Sequence, residues 1–114
     1  MQQQLTPVPV GIDLASYKTK IAVAKRGGVE VITNEANFRE TPAVVGFGPN
    51  ERQIGEAGWI KMKSNFRHSV LYPLRFAGLS TDYPLLRAET KFCPAKTNIS
   101  SGKLRFDVNY QGQN

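Results

Sequence analysis

The sequence predicts an α+β chain: an antiparallel β-meander followed by a small mixed β subdomain with short helices. Three observations carry this prediction. Residues 8–33 hold three apolar runs with a period of two, separated by compact turns. Near the other end, Leu104, Phe106, Val108 and Tyr110 alternate with Arg105, Asp107 and Asn109. Between these regions every helical candidate is short or is interrupted by Gly58, Pro73 or Pro84.

Residues 1–7 are a polar lead and are expected to be disordered. In VPVGIDL, Val8, Val10, Ile12 and Leu14 share one face, so Asp13 faces away from the apolar side. In KIAVAK, Ile21 and Val23 alternate with Ala22 and Ala24, which predicts a strand covered on both sides. Gly27 and Gly28 accept the positive φ of a tight turn, and VEVIT starts a third strand at Val29. NEANFRETP (34–42) reads as a loop, with Pro42 at or near the start of the next strand. AVVGFG (43–48) is a strand, GPNE a turn and RQIG a very short strand.

EAGWIKMKS (56–64) is the first helical candidate, weakened by Gly58. HSVLYPLRFAGL (68–79) is broken by Pro73 and reads as short helical turns. DYPLLRAET (82–90) reads as a short helix with Asp82 as N-cap and Pro84 in the first turn. FCPAKTNI and KLRFDVNY follow as two strands joined by SSGK.

Composition narrows the function classes. Hydrophobic residues make up 40% and charged residues 21% of 114, which suits one globular domain or a large piece of one. No apolar run approaches the length of a membrane helix, and the N-terminus lacks the basic and apolar regions of a secretory signal. A single cysteine, Cys93, points to a reducing, cytoplasmic setting. Fifteen Lys and Arg against nine Asp and Glu give +6, which invites a nucleic-acid reading. The cations are scattered and no aromatic–glycine signature accompanies them, so a solvated basic surface is favoured.

Few side chains stand out as chemistry. Asp13, at the end of an apolar strand and before small and polar residues, suits a phosphate or metal site; taken alone, it is more often a strand end. His68 has no cysteine or acidic cluster beside it, and Trp59 and Phe66 read as packing residues. Cys93 lies in an apolar strand context with nothing to activate its thiol. Asn98-Ile99-Ser100 fits a glycosylation sequon that a cytosolic protein would not use.

Several blocks in order carry a resemblance. GIDL with its polar turn and second strand, then VEVITNEANFRETPAVVGFGPNERQIGEA, then SNFRHSVLYPLRFAGL resemble the N-terminus of the seventy-kilodalton heat-shock chaperone superfamily. The GFGP turn within NE..FR.TP..VGFGPNER.IGEA resembles the hundred-and-ten-kilodalton branch, whose members act as nucleotide-exchange factors. The likeness covers roughly residues 8 to 112. It implies a piece of an actin-like ATPase domain: residues 8–42 as the first three strands of a core subdomain, and 43–114 as a small second subdomain of the same lobe.

The resemblance also assigns roles. The turn between the first two strands would be a phosphate loop, in which Ala15, Ser16 and Tyr17 present backbone N–H groups. Asp13 would hold Mg²⁺ through water. Two departures matter. Ala15 stands where the family usually has glycine, and Leu74 occupies the position of a lysine near the transferred phosphate. Leucine cannot stabilise developing negative charge, so no catalytic residue is assigned and the full-length protein is at most a weak ATPase.

The implied cofactors are ATP and Mg in the full-length protein, with none expected on this chain alone, where only one wall of the cleft is present. The implied partners are a second heat-shock chaperone and unfolded polypeptides, without nucleic acid or membrane. The bare apolar strands of the meander are expected to make the isolated chain self-associate. Two alternatives stay open: a piece of a sugar-kinase-like enzyme of the actin-like superfamily, which shares the hairpin phosphate loop, and a small basic nucleic-acid-binding β domain.

Overall fold

The computed structural model describes residues 6–113, so most of the expected disordered lead lies outside the described residues. Strand β1 (Val10–Leu14) pairs antiparallel with β2 (Lys18–Lys25), placing Val10 opposite Val23 and Leu14 opposite Thr19. Strand β3 (Gly28–Val31) returns along β2 after the glycine turn, with Lys25 opposite Gly28. The expected meander is therefore present. Its pleat puts Asp13 opposite Lys20, away from the Val10, Ile12 and Leu14 face, as the alternation requires.

A fourth strand in this sheet was not expected. Residues Thr41–Pro42 form β4, inside the stretch read as loop, and pair with Lys18 and Thr19. Because β1 already pairs with Thr19, β4 must occupy the other edge of β2, end to end with β3. Asn34 organises the connection: its Oδ1 accepts from the N–H groups of Ala36 and Phe38, and its Nδ2 donates to Glu40 C=O and Thr41 Oγ1. The expected cover over both faces of β2 is not seen. Ile21, Ala22 and Val23 are half-buried and β1 is exposed throughout.

The second sheet runs β6-β5-β7. Strand β5 (Val44–Phe47) pairs with β6 (Arg52–Ile54) across the GPNE turn, and with β7 (Ser69–Leu71) on its other edge. Strand β7 corrects the reading of 68–79 as helical turns alone. The break at Pro73 falls after the strand, and Ser69 and Val70 are buried against β5. Ser69 Oγ donates to Asn65 C=O, which satisfies the one buried polar side chain among the described residues. Short 3-10 turns flank β7 at Phe66–His68 and Pro73–Arg75.

Helix α1 (Glu56–Lys61) is shorter than the expected 56–64 and buries Gly58 against β5 and β6. Trp59 and Phe66, expected to be packing residues, are 44% and 57% exposed. The helix meets the sheet through its glycine, which leaves Trp59 outside. Helix α2 (Leu86–Thr90) starts later than expected, after Leu85 and not after Asp82. The preceding segment folds as successive turns, with Tyr83 N–H donating to Ser80 C=O and Leu86 N–H to Tyr83 C=O. Leu86 joins Val44, Val70 and Ala95 as the buried apolar residues.

Strands β8 (Lys96–Ser100) and β9 (Lys103–Asp107) form a separate hairpin. Cys93, expected in a strand, lies in the turn after α2, where its N–H donates to Thr90 C=O. Val108 and Tyr110 fall beyond β9, and Tyr110 closes an isolated bridge to Gln113.

Gly58 yields an expected outcome that opposes helix propensity. Alanine normally favours a helix by about 1 kcal/mol over glycine. Here a Cβ at Gly58 would stand 2.7 Å from Gln53 O and 3.3 Å from Val44 Cγ1. Gly58→Ala is therefore expected to lower stability by about 1–3 kcal/mol, the usual cost of overpacking. Urea unfolding of the two proteins measures it, and a more stable variant would show that the helix shifts freely on the sheet.

Candidate phosphate site

The β1–β2 hairpin delivers all four expected site residues to one end of one sheet. Asp13 is the penultimate residue of β1, and residues 15–17 make the connection to β2. Asp13 is exposed and, among the described residues, makes no ion pair, although Lys20 stands directly opposite. Lys20 instead reaches Glu40 Oε2 at 3.6 Å. Among the described residues no three His, Cys, Asp or Glu side chains cluster as a metal cage. Asp13 thus offers a free hard oxygen beside the turn, which suits an ion that keeps several of its waters.

Tyr17 anchors the turn. Its C=O accepts the Ala43 N–H at 2.8 Å, and its ring meets the Tyr72 ring edge-on, with centroids 4.6 Å apart at 89°. The guanidinium carbon of Arg75 lies 5.7 Å from the Tyr17 ring centroid. Leu74 sits in the same 3-10 turn as Arg75, so the Pro73–Arg75 segment lies against the 15–17 turn.

Two cavities flank this arrangement. One of about 320 Å³ is lined by Tyr17, Lys18, Glu40, Glu56, Trp59 and Tyr72, with Phe38 and Pro42 at its side. A second of about 240 Å³ is lined by Ser16, Arg75, Leu79, Tyr83 and Glu89. Sequence reasoning missed Glu40, Tyr72 and Glu89 as neighbours of the turn. Only one local signal existed: Tyr72 precedes Pro73, which restricts its backbone. The left-handed angles it adopts, φ 53° and ψ 54°, are not those that a following proline favours.

Electrostatics around the turn is set by pairs. The hydrogen bond from Lys18 holds the Glu40 carboxyl below the ordinary carboxylate range, and the same bond raises the Lys18 ammonium. Elsewhere, burial pushes the Cys93 thiol up, which agrees with an unreactive cysteine. His68 Nδ1 accepts the Asn109 N–H at 3.1 Å, a structural contact.

The Lys18–Glu40 pair has a defined pH window. A depressed carboxyl contributes stability above its unfolded pKa and loses it as pH falls through the folded one. A raised lysine contributes below its unfolded pKa and loses it as pH rises through the folded one. The pair therefore acts fully between the ordinary carboxylate and lysine ranges. Lys18→Met is expected to move the Glu40 titration upward, read by NMR of its carboxyl carbon. A stationary midpoint would assign the depression to another group.

Comparison with known proteins places the chain. It matches the family described as Hsp70 protein over residues 9–114. It is 37% identical over 106 residues to a heat shock protein homolog of Saccharomyces cerevisiae, covering 92% of this chain and 15% of that protein. It is 40% identical over 104 residues to the heat shock protein hsp88 of Neurospora crassa, covering 91% of this chain and 15% of that one. Heat shock protein 88 of Dictyostelium discoideum is 33% identical over 105 residues, 91% of this chain and 14% of that protein. The chain thus spans 15% or less of the length of these three relatives. Its antiparallel sheets and short helices are an α+β piece of the actin-like ATPase domain. The chain belongs to the Hsp70 family, on the side of its hundred-and-ten-kilodalton branch.

Proposed function

We propose that this chain supplies the phosphate turn and the metal-holding carboxylate of an ATP-binding domain in a heat-shock chaperone or co-chaperone. The observation that carries the reading is the exposed, unpaired Asp13 at the mouth of the 15–17 turn. Backbone N–H groups of Ala15, Ser16 and Tyr17 would bind phosphate oxygens, and Asp13 would hold hydrated Mg²⁺. The metal, when bound, neutralises phosphate charge. The whole protein would act in the cytoplasm, exchanging nucleotide on a partner chaperone that handles unfolded polypeptides.

Turnover would be weak. Leu74 brings no charge to the Pro73–Arg75 turn, and the neighbouring cation, Arg75, is paired with Glu89. The family match disfavours a sugar-kinase reading. Around the turn the nucleic-acid reading loses support as well, because Lys18, Lys20 and Arg75 are engaged by Glu40 and Glu89.

In the full-length protein, ATP with Mg²⁺ is expected to raise the melting temperature. Asp13→Asn is expected to weaken Mg-dependent ATP affinity by about tenfold or more, the scale for losing an outer-shell metal contact. Equal stabilisation of both proteins at every Mg²⁺ concentration would remove Asp13 from the site. Leu74→Lys combined with Ala15→Gly is expected to raise ATP hydrolysis, one change acting on transition-state charge and the other on the turn. A single-turnover assay reads it, and an unchanged rate would show that Leu74 is not the lesion.

A further inference from the structure

We propose that Arg75 is a positioning residue that ties the Tyr17 ring, and with it the 15–17 turn, to helix α2 through Glu89. Its role in phosphate binding rests on the function proposed above; its role in fixing Tyr17 does not.

Four contacts converge on Tyr17, two of them from Arg75. Arg75 Nη1 donates to the Tyr17 hydroxyl at 3.4 Å. The guanidinium stands over the ring, within the range of a cation–π contact. The Tyr72 ring packs edge-on against the same ring. The Tyr17 C=O is bonded to Ala43 N–H, and the Ala43 C=O to Tyr72 N–H, each at 2.8 Å. Tyr72 holds its left-handed backbone while making two of these links. A non-glycine residue there stores strain on the order of 1 kcal/mol, which persists only where the surroundings impose it.

Glu89 explains why Arg75 stays in place. Its Oε2 is shielded from solvent, and Arg75 Nη2 is its ion-pair partner, although the approach lacks regular hydrogen-bond geometry. The Glu89 side chain as a whole is 27% exposed, so removing the arginine would strand one shielded oxygen of a half-buried carboxylate, a cost smaller than that of a fully buried charge. One end of the guanidinium is thereby held by α2, and its other end and face are presented to Tyr17. Arg75 also lines the 240 Å³ cavity beside Ser16, but Glu89 lines it too and offsets the charge there. That balance favours positioning over direct phosphate contact.

The test uses Arg75→Lys, Glu89→Gln and Tyr17→Phe in the 114-residue chain. NMR reads two local signals: Tyr17 ring shifts, set by the Tyr72 ring current, and exchange of the Ala43 amide. Arg75→Lys and Glu89→Gln are each expected to move the ring shifts and to speed Ala43 exchange by about tenfold, the worth of a partly desolvated cation–π contact. Tyr17→Phe keeps the ring and is expected to speed exchange by about threefold, the worth of one weak hydrogen bond. Amides of β8 and β9 are expected to stay unchanged in all three. Unmoved Tyr17 and Ala43 signals would overturn the proposal, and so would equal acceleration in β8 and β9. ATP affinity of the full-length Arg75→Lys protein separates the roles: a loss of affinity with unmoved Tyr17 signals would make Arg75 a direct ligand. Absence of ATP binding by the unaltered full-length protein would end the phosphate reading and leave the coupling to the NMR result.

Discussion

The arrangement of the site depends on the peptide groups of Ala43. Its N–H donates to Tyr17 C=O and its C=O accepts from Tyr72 N–H. Ala43 lies between β4 and β5, at the point where the chain leaves the meander and enters the second sheet. The two sheets share no strand, so this residue is where their ladders meet. A buried or half-buried peptide group must find a partner, and here both partners are parts of the candidate site. The 15–17 turn is thereby joined by backbone, not only by side chains, to the segment that carries Leu74 and Arg75.

The same economy of edges explains the loop before it. One edge of β2 is taken by β1, so β3 and β4 must share the other. The chain has to leave that edge after β3 and rejoin it at Thr41, which forces the excursion through residues 33–40. Ile32 N–H still donates to Ile21 C=O, and Asn34 then ties the excursion together. Its end brings Glu40 within reach of both Lys18 and Lys20, which share a face of β2 because they are two residues apart.

What the sequence revealed follows from length and period. Strands β1, β2, β3 and β9 show alternation over several residues, and a glycine pair marks one turn. Strand β4 has two residues and β7 three, too few for a period to show. Strand β6 is as short as β7, but the GPNE turn before it marks it as the return of a hairpin, a signal that β4 and β7 lack. Pro73 points to helical turns after β7, and Pro42 reads as the start of β5 and not as a strand of the first sheet. Asp82 and Pro84 imitate a helix start, but Ser80 captures both the Asp82 N–H through its hydroxyl and the Tyr83 N–H through its carbonyl, which bends the segment into turns first. Trp59 was misjudged because Gly58, read as a defect in the helix, is the contact surface itself. In the site, the residues alone pointed only to Asp13. The resemblance supplied the turn. Glu89 gave no signal, since its meeting with Arg75 is made by tertiary packing.

Charge around the turn bears on how the proposed site would work. The chain carries a net +6, yet the cations nearest the turn are already engaged: Lys18 and Lys20 by Glu40, and Arg75 by Glu89. The lysine that the resemblance would place beside the phosphate is Leu74. In the proposed site, attraction for an anion would then come from oriented backbone N–H groups and from a metal at Asp13, not from free side-chain charge. Such groups act on bound phosphate in the ground state. Acceleration of its transfer needs charge aimed at what develops only in the transition state, and none of these three cations is free to supply it. On the proposed function, such an arrangement would bind nucleotide without rapid turnover, and the rigidity of the turn, rather than any single charged group, would be the property on which affinity depends.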